Sequence, residues 1–319
     1  MTLLTGTDLK VTPLALGTAG FGSSRTDEEA QLQMDVYADL GGNFIDTAHV
    51  YGDWANRGPG LSERIIGRWL KGRRHNMIIS SKGAHPILSE FAVSRLDKKS
   101  IMSDLDSSLS CLQTDYIDLY FLHRDDSTRS AEEILTTLEE ARSQGKIRYY
   151  GCSNWSLDRI KEAEEISKAK GFSGFICNQL MWSLADINKS GVGDTTLDFM
   201  DRDTYEYHSE KSLSAMAYTS IANGYFQKLW EKASVYDGSR QKYDSPSNAA
   251  IYDFISANMP EGYNMLDLSL LYFQNQPFPA IPIAGFSSRT QLEEAMAAVE
   301  KAYPTELFDE VAKLKKFLN

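Results

Sequence analysis

Cysteine is scarce in this sequence, which contains only Cys111, Cys152 and Cys177 among its 319 residues. Three widely spaced thiols do not suit the disulfide framework that stabilises many small secreted proteins. The first ten residues also lack the basic segment and apolar run of a secretory signal. We therefore expect reduced thiols and a cytoplasmic protein.

Basic residues are fewer than acidic ones, since the sequence has 33 Lys and Arg residues and 44 Asp and Glu residues. Its formal net charge is −11. A protein with this charge is repelled at long range by nucleic acids and anionic membranes. Long apolar runs are missing as well. The longest uncharged candidate, residues 268–288, contains Pro277, Pro279 and Pro282, which exclude a regular membrane helix. We expect neither a nucleic-acid partner nor a membrane partner.

Two further signatures are absent. The glycine fingerprint of open dinucleotide-binding sheets fails, since Gly20-Phe21-Gly22 is followed by Arg25 where a third glycine belongs. No pair of His or Cys residues stands at a metal-ligand spacing, so the sequence predicts no metal site. We accordingly interpret His49 and His208 as structural or surface residues.

What the sequence does contain is an alternation of short apolar runs with longer amphipathic segments, which is typical of repeated βα units. The predicted strands are 14–17, 43–46, 77–81, 117–122, 147–152, 175–178, 213–217 and 280–283. The predicted helices are 27–40, 62–71, 101–111, 131–143, 157–170, 265–273 and 289–299. Eight such units favour a (β/α)₈ (TIM) barrel, although an open doubly wound sheet has a similar order of strands and helices along the chain.

Residues 1–319 show no linker, so we predict a single domain. Residues 1–11 resemble a short hairpin able to close the bottom of a barrel. Two long connections, 182–212 and 219–279, follow the sixth and seventh strands and would cover the C-terminal face, where they are candidate walls of a substrate pocket.

Polar residues stand at the ends of successive predicted strands. Asp46, Lys82 and His123 each follow an apolar run, and a barrel brings such positions together on one face. A Lys and an Asp buried there would neutralise each other. Tyr51 lies five residues after Asp46, so a short loop can return its phenol to the same place. Beside a Lys ammonium, we expect the pKa of Tyr51 to fall from its usual value.

The motifs around these residues resemble those of the aldo-keto reductase family over almost the whole chain. The resemblance rests on Gly41-Gly42-Asn43-Phe44-Ile45-Asp46-Thr47-Ala48 with Tyr51-Gly52, then Ser62-Glu63, Ile66-Gly67, Ser81-Lys82-Gly83, Asp115-Tyr116-Ile117-Asp118-Leu119-Tyr120, Leu122-His123, Gly145-Lys146-Ile147-Arg148 and Gly151-Cys152-Ser153-Asn154. It implies a barrel enzyme that reduces aldehydes or ketones, with hydride from a nicotinamide cofactor. Tyr51 would be the general acid, Lys82 and Asp46 would tune it, and His123 would orient the carbonyl.

The resemblance also implies a set of cofactor contacts. Ser153, Asn154 and Gln179 would bind the nicotinamide carboxamide, and Tyr218 would stack on its ring. The remaining implied contacts are Gly17, Thr18 and Asp46 near the nicotinamide and Gly285, Ser287, Arg289 and Glu294 at the adenosine end. Arg289 would bind the ribose 2′-phosphate, which favours NADPH, with NADH possible.

Phe21, Trp54 and Trp182 follow strand ends and could form an aromatic pocket for medium-sized apolar or aromatic aldehydes; as single residues they fit plain packing equally well. Two rival functions stay open. Lys82 could form a Schiff base in a lyase, and some relatives with this fold are nucleotide-binding channel subunits. The sequence predicts neither the physiological carbonyl substrate nor the oligomeric state.

Overall fold

The computed structural model describes residues 1–315. Within that range the strands are β1 (Thr2–Leu3), β2 (Lys10–Val11), β3 (Ala15–Gly17), β4 (Phe44–Asp46), β5 (Ile78–Gly83), β6 (Ile117–Leu122), β7 (Ile147–Ser153), β8 (Cys177–Met181), β9 (Ser214–Tyr218) and β10 (Ala280–Ala284). The first two form an antiparallel hairpin, and the other eight pair in parallel in chain order until β10 meets β3 and closes a barrel. The predicted (β/α)₈ barrel and N-terminal hairpin are thus confirmed.

Helices connect the strands on the outside of the barrel. They are α1 (Asp27–Asp39), α2 (Leu61–Leu70), α3 (Lys98–Leu112), α4 (Ala131–Ser143), α5 (Leu157–Lys170), α6 (Arg202–Lys211), α7 (Tyr225–Trp230), α8 (Asp237–Tyr243), α9 (Pro246–Ala257), α10 (Met265–Leu271), α11 (Arg289–Ala298) and α12 (Thr305–Leu314). Most begin at a side chain that caps the first turn. Thr26 and Glu29, for example, form a reciprocal capping box at α1, which satisfies two backbone amides that lack helical partners.

Two apolar layers follow from the alternation of side chains along each strand. In β6, Leu119 and Phe121 point into the barrel, while Tyr120 and Leu122 pack under the surrounding helices. The inner layer includes Leu4 from the hairpin, and the backbone amide of Thr5 donates to Ser214 at the start of β9. The hairpin therefore closes the N-terminal end of the barrel, and the chemistry has to be sought at the other end.

The sixth barrel strand lies later than predicted, at Cys177–Met181 instead of 175–178. Its polar residues caused the error, because Asn178 and Gln179 look like the start of a loop. Both are buried and hydrogen-bonded, Asn178 with His208 and Gln179 with Asp46, so the strand continues through them.

The two long connections contain helices that the sequence pattern did not predict, namely α6 in 182–212 and α7 to α9 in 219–279; α12 near the C-terminus was also missed. The sequence of α6, Arg202–Lys211, has too few apolar residues to show a clear helical period. No helix within residues 1–315 is long and apolar enough to span a membrane.

Candidate active site

A buried ion pair lies at the C-terminal mouth of the barrel. Lys82, near the end of β5, donates from Nζ to Oδ2 of Asp46 at 2.7 Å and to the carbonyl oxygen of Thr47 at 2.8 Å. Burial on its own would lower the pKa of Lys82, but the charge of Asp46, the neighbouring Tyr51 and the hydrogen bonds to both together raise it. Lys82 is therefore an ammonium ion held in one place.

The second carboxylate oxygen of Asp46 is also occupied. It accepts hydrogen bonds from Oγ of Ser80 at 2.8 Å and from Nε2 of Gln179 at 2.9 Å. The first contact joins the neighbouring strands β4 and β5, and the second joins β4 to β8 across the barrel mouth. The orientation of the carboxylate, and through it that of the Lys82 ammonium, is fixed by the fold.

Tyr51 reaches this pair from the loop after β4. Nζ of Lys82 donates to its phenol oxygen at 3.4 Å and lies 4.9 Å from the centre of its ring. Desolvation raises the pKa of Tyr51, and the opposing effect of Lys82 is too small to reverse this. The expected lowering of this pKa is therefore wrong for the structure described, and Tyr51 is a protonated phenol at neutral pH.

His123 follows β6 directly and faces Tyr51, with ring centres 5.8 Å apart. The ring of His85 also packs edge-on against that of His123, with ring centres 4.8 Å apart. Desolvation lowers the pKa of His123 well below its usual value, and the charge of Lys82 adds to the effect. The imidazole is thus neutral. Among residues 1–315, nothing hydrogen-bonds its Nδ1.

The residues predicted to bind a nicotinamide carboxamide are brought together beside these groups. Asn154 adopts a left-handed backbone conformation, with φ 61°, and donates to the carbonyl oxygen of His123 and to Oγ of Ser153, both at 3.1 Å. Its amide oxygen accepts from the phenol of Tyr218 at 2.6 Å. Hydrogen bonds thus connect β7 and β9 directly to the segment that ends in His123.

One cavity of about 1040 Å³ connects this mouth to the start of α11. Its lining includes most of the predicted cofactor and catalytic residues, namely Gly17, Thr18, Asp46, Tyr51, His123, Ser153, Asn154, Gln179, Tyr218, Gly285, Ser287 and Glu294. The backbone at Gly17 approaches β10 closely, because a Cβ there would lie 3.0 Å from a methyl group of Ile283. The cavity therefore runs along bare backbone at this point.

Arg289 stands apart from this lining. Its side chain is 64% exposed and donates to Glu293 at 2.7 Å. A different arginine contacts the same loop: Arg25 donates to Oγ of Ser287 at 2.6 Å and to the carbonyl oxygen of Phe286 at 3.2 Å. No pattern in the sequence indicates this contact, because its two residues are more than 250 positions apart.

Of the three aromatic residues predicted to line the substrate pocket, only one lies near its mouth. Trp54 stays at the mouth, 48% exposed, with its ring 6.4 Å from that of Tyr51. Phe21 and Trp182 are 1% and 2% exposed and belong to two apolar cores, so they do not form the pocket surface. Apolar residues of the long connections, such as Leu197, Ile221, Trp230 and Met265, line the cavity instead, together with Ile283, Ala284 and Phe286 in and after β10.

Comparisons with known proteins found relatives that match over most of the chain. The sequence model of the Aldo/keto reductase family matches residues 13–316. An uncharacterized oxidoreductase of Bacillus subtilis is 27% identical over 315 residues, which cover 96% of this chain and 93% of that protein. An aryl-alcohol dehydrogenase (NADP(+)) of Phanerodontia chrysosporium is 30% identical over 203 residues, covering 57% of this chain and about half (51%) of that relative. An aldo-keto reductase of Bacillus halodurans, solved in its holo form, superposes with a TM-score of 0.75 at 26% identity, covering 99% of this chain and 96% of that one.

Proposed function

The chain belongs to the aldo/keto reductase family and is an NAD(P)H-dependent oxidoreductase, and from this premise we propose that it reduces aldehyde or ketone carbonyls with Tyr51 as the general acid and NADPH as the preferred cofactor. The observation that supports the proposal most directly is the contact of the Tyr51 phenol with a buried ammonium at the mouth of the cavity. Hydride is what the nicotinamide supplies when it is bound.

The residues around Tyr51 suit the other half of the reaction, which is protonation of the developing alkoxide. A phenol with a raised pKa keeps its proton until a stronger base forms beside it. Lys82 then stabilises the phenolate that remains, and Asp46 balances the charge of Lys82. A neutral His123 can donate one ring N–H to the carbonyl oxygen and so hold it near Tyr51.

The residues along the cavity fit a dinucleotide. Gln179, Asn154 and Ser153 place amide and hydroxyl groups at the mouth, and Tyr218 offers a ring beside them. At the far end, Ser287 and Glu294 line the cavity at the start of α11, where backbone amides and the helix dipole favour a phosphate. We assign the 2′-phosphate to Arg289, whose exposed side chain is long enough to turn toward this loop. That assignment is the basis of the preference for NADPH.

The substrate class we propose is medium-sized apolar or aromatic aldehydes. Trp54 beside Tyr51 and the apolar residues of the long connections would contact such a substrate. The name of the aryl-alcohol dehydrogenase among the relatives points to the same chemistry. For the location of the protein we propose the cytoplasm, on the basis of its three free thiols.

A Schiff-base lyase is disfavoured by the same ion pair. The lysine of such an enzyme must be neutral to attack a carbonyl. Asp46 keeps Lys82 protonated instead, and Thr47 and Tyr51 accept its other hydrogen bonds.

The test is a cofactor-oxidation screen with aromatic aldehydes, aliphatic aldehydes, ketones and sugars, each with NADPH and with NADH. We expect the fastest turnover with an aromatic or medium apolar aldehyde and NADPH. If no carbonyl class oxidises either cofactor although the protein binds both, the chain acts as a nucleotide-binding subunit and the proposal is wrong.

A further inference from the structure

Three potential metal ligands from separate elements meet behind the Tyr51 loop. They are His49 in the loop after β4, Glu63 in the first turn of α2 and Cys111 in the last turn of α3. A ring nitrogen, a carboxylate oxygen and the thiol sulfur of these residues all lie within 4.8 Å of one another. Sequence spacing could not reveal this group, because its members are far apart in the chain.

The fold brings these residues together through the close packing of α2 and α3. Gly67 lies one turn after Glu63 on α2, and a Cβ at that position would be 2.2 Å from the carbonyl oxygen of Cys111. Only glycine permits that approach. Gly60 acts in the same way at the start of α2, where a Cβ would be 2.8 Å from the sulfur of Cys111 and 3.3 Å from the ring of His49.

We propose that His49, Glu63 and Cys111 form a binding site for Zn²⁺, with a fourth position left to water. Nitrogen, sulfur and carboxylate oxygen are the ligands that zinc prefers, and three protein ligands with one open position is a common arrangement for this metal. A thiolate and a carboxylate balance the two charges of the ion, so the occupied site is neutral. An uncompensated charge is therefore not left in the interior.

The surroundings of Glu63 are those of an oriented ligand. The carboxylate is fully buried, and its Oε1 accepts a hydrogen bond from Oγ of Ser81 at 2.5 Å. This leaves Oε2 directed toward Nδ1 of His49 at 2.9 Å. Partners of this kind fix the geometry of a metal ligand and contribute to its affinity. His49 and Cys111 are only partly buried, so an ion can reach them from solvent.

The competing interpretation is a simple ion pair between His49 and Glu63, with Cys111 as a neighbour that packs against it. This ion pair is consistent with the same distances, but in it the Cys111 thiol does not bind a cation. Sulfur ligation is therefore the property that an experiment must test.

The experiment uses the full-length protein, stripped of metal and titrated with Zn²⁺ in equilibrium dialysis and with Co²⁺ in an absorption titration. We expect one equivalent of either ion per chain, a thiolate-to-Co²⁺ charge-transfer band in the near ultraviolet, and a rise in Tm with Zn²⁺. Cys111→Ser should abolish the band and weaken Zn²⁺ binding at least ~10-fold, since a hydroxyl is a poor zinc ligand. Ser81→Ala should weaken binding by about 10- to 100-fold without removing the band.

The matched control is the Cys152→Ala, Cys177→Ala double variant, which keeps Cys111 as its single thiol. Both of these cysteines are buried elsewhere in the barrel, and we expect the variant to retain the band and the affinity. Circular dichroism on Cys111→Ser separates loss of the site from loss of the fold. A wild-type protein that binds less than one equivalent, or a Cys111→Ser variant that keeps the band, would overturn the proposal.

Discussion

Lys82 and Asp46 stay charged in the interior because each neutralises the other at 2.7 Å. Several kcal/mol of desolvation would otherwise oppose either charge. Tyr51 and His123 lie beside this pair, and the loss of water has the largest effect on the pKa of each, followed by the charge of the ammonium. The outcome is a protonated phenol next to a neutral imidazole, and both can donate a hydrogen bond to one carbonyl oxygen.

Removal of the Tyr51 hydroxyl should stop turnover but leave the cofactor site intact. General acid catalysis contributes ~10²–10⁴-fold, so Tyr51→Phe should raise the barrier by roughly 3–5 kcal/mol. Steady-state aldehyde reduction measures the loss, and fluorescence titration with NADPH shows that binding persists. A variant that turns over at nearly the wild-type rate would show that another group donates the proton.

Lys82→Met should reduce turnover as much as Tyr51→Phe does. Unlike Tyr51→Phe, it should also destabilise the folded protein. It removes the cation that stabilises the phenolate, and it leaves the buried Asp46 carboxylate without a counterion. Breaking a buried pair in this way costs about 3–5 kcal/mol of unfolding free energy. Urea unfolding should therefore separate the two variants, with Tyr51→Phe close to wild type. Equal stability of both variants would contradict the charged state assigned to Asp46.

Arg289→Ala tests the assignment of the 2′-phosphate. Charge-assisted hydrogen bonds are worth about 1.5–3 kcal/mol, so the substitution should weaken NADPH by roughly 10- to 150-fold and leave NADH almost unchanged. Arg142→Ala is the control, because Arg142 also pairs with a glutamate on a helix surface, Glu139 of α4, and does not line the cavity. If Arg289→Ala weakens both cofactors alike, or if the wild-type protein does not distinguish them, Arg289 is a surface residue.

At the scale of the elements, the sequence predicts strands better than it predicts what lies between them. The ends of β4 and β6 could be predicted directly, because apolar runs stop there at Asp46 and His123. The predicted end of β5 at residue 81 is wrong by two residues, since the strand continues through Lys82 to Gly83. The position of β8 could not be predicted in this way. Phe175 belongs to the outer packing around Trp155, and Asn178 is buried against partners that the local sequence does not show. For the same reason, the contact of Arg25 with Ser287 had no signal in the sequence.

His208, the partner of Asn178, is one of these residues that the local sequence does not show. Because it is buried, we predict that the stability of the protein depends on pH. Nδ1 pairs with the carbonyl oxygen of Leu213 at 2.8 Å and Nε2 lies 3.3 Å from the Asn178 amide, and desolvation lowers the pKa of His208 to about 4. The unfolded chain binds this proton below about pH 6.5, whereas the folded protein does not until about pH 4. Stability from this group is therefore complete above pH 6.5 and is lost as the pH falls through that window.

The measurement compares the wild-type protein with His208→Gln by urea unfolding at pH 7.5 and pH 5. The wild-type protein should lose about 2 kcal/mol more than the variant between these two values, because Gln does not titrate. Because the comparison concerns the change in unfolding free energy between the two pH values, a lower overall stability of the variant does not affect it. Parallel losses in both proteins would mean that His208 takes up a proton in the folded state.

At the scale of the whole molecule, one end of the barrel contains the candidate site and the other end is closed by structural contacts. The C-terminal mouth holds the candidate catalytic groups, whereas the N-terminal end is closed by the hairpin and by a network around Asp118. Oδ2 of Asp118 accepts from Arg74 at 2.7 Å and from the amide of Ile79 at 2.9 Å, and Oδ1 accepts from Arg148 at 2.8 Å. Arg148 in turn binds Asp8 of the hairpin. This network connects β5, β6, β7 and the hairpin.

Asp118→Asn should therefore reduce stability and spare catalysis. The amide cannot accept all three hydrogen bonds, and it leaves Arg74 without a carboxylate partner while Arg148 keeps only Asp8. This should cost about 2 kcal/mol, because both arginines keep some access to water. Asp118 and His123 are five residues apart along and just beyond β6, or roughly 16 Å, so kcat and KM for an aldehyde should stay unchanged. Asp8→Asn is the control: Asp8 is exposed, and the loss of its pair should change the unfolding free energy by less than ~1 kcal/mol. If kcat falls in Asp118→Asn together with stability, the two ends of the barrel are coupled, and the N-terminal closure takes part in shaping the mouth.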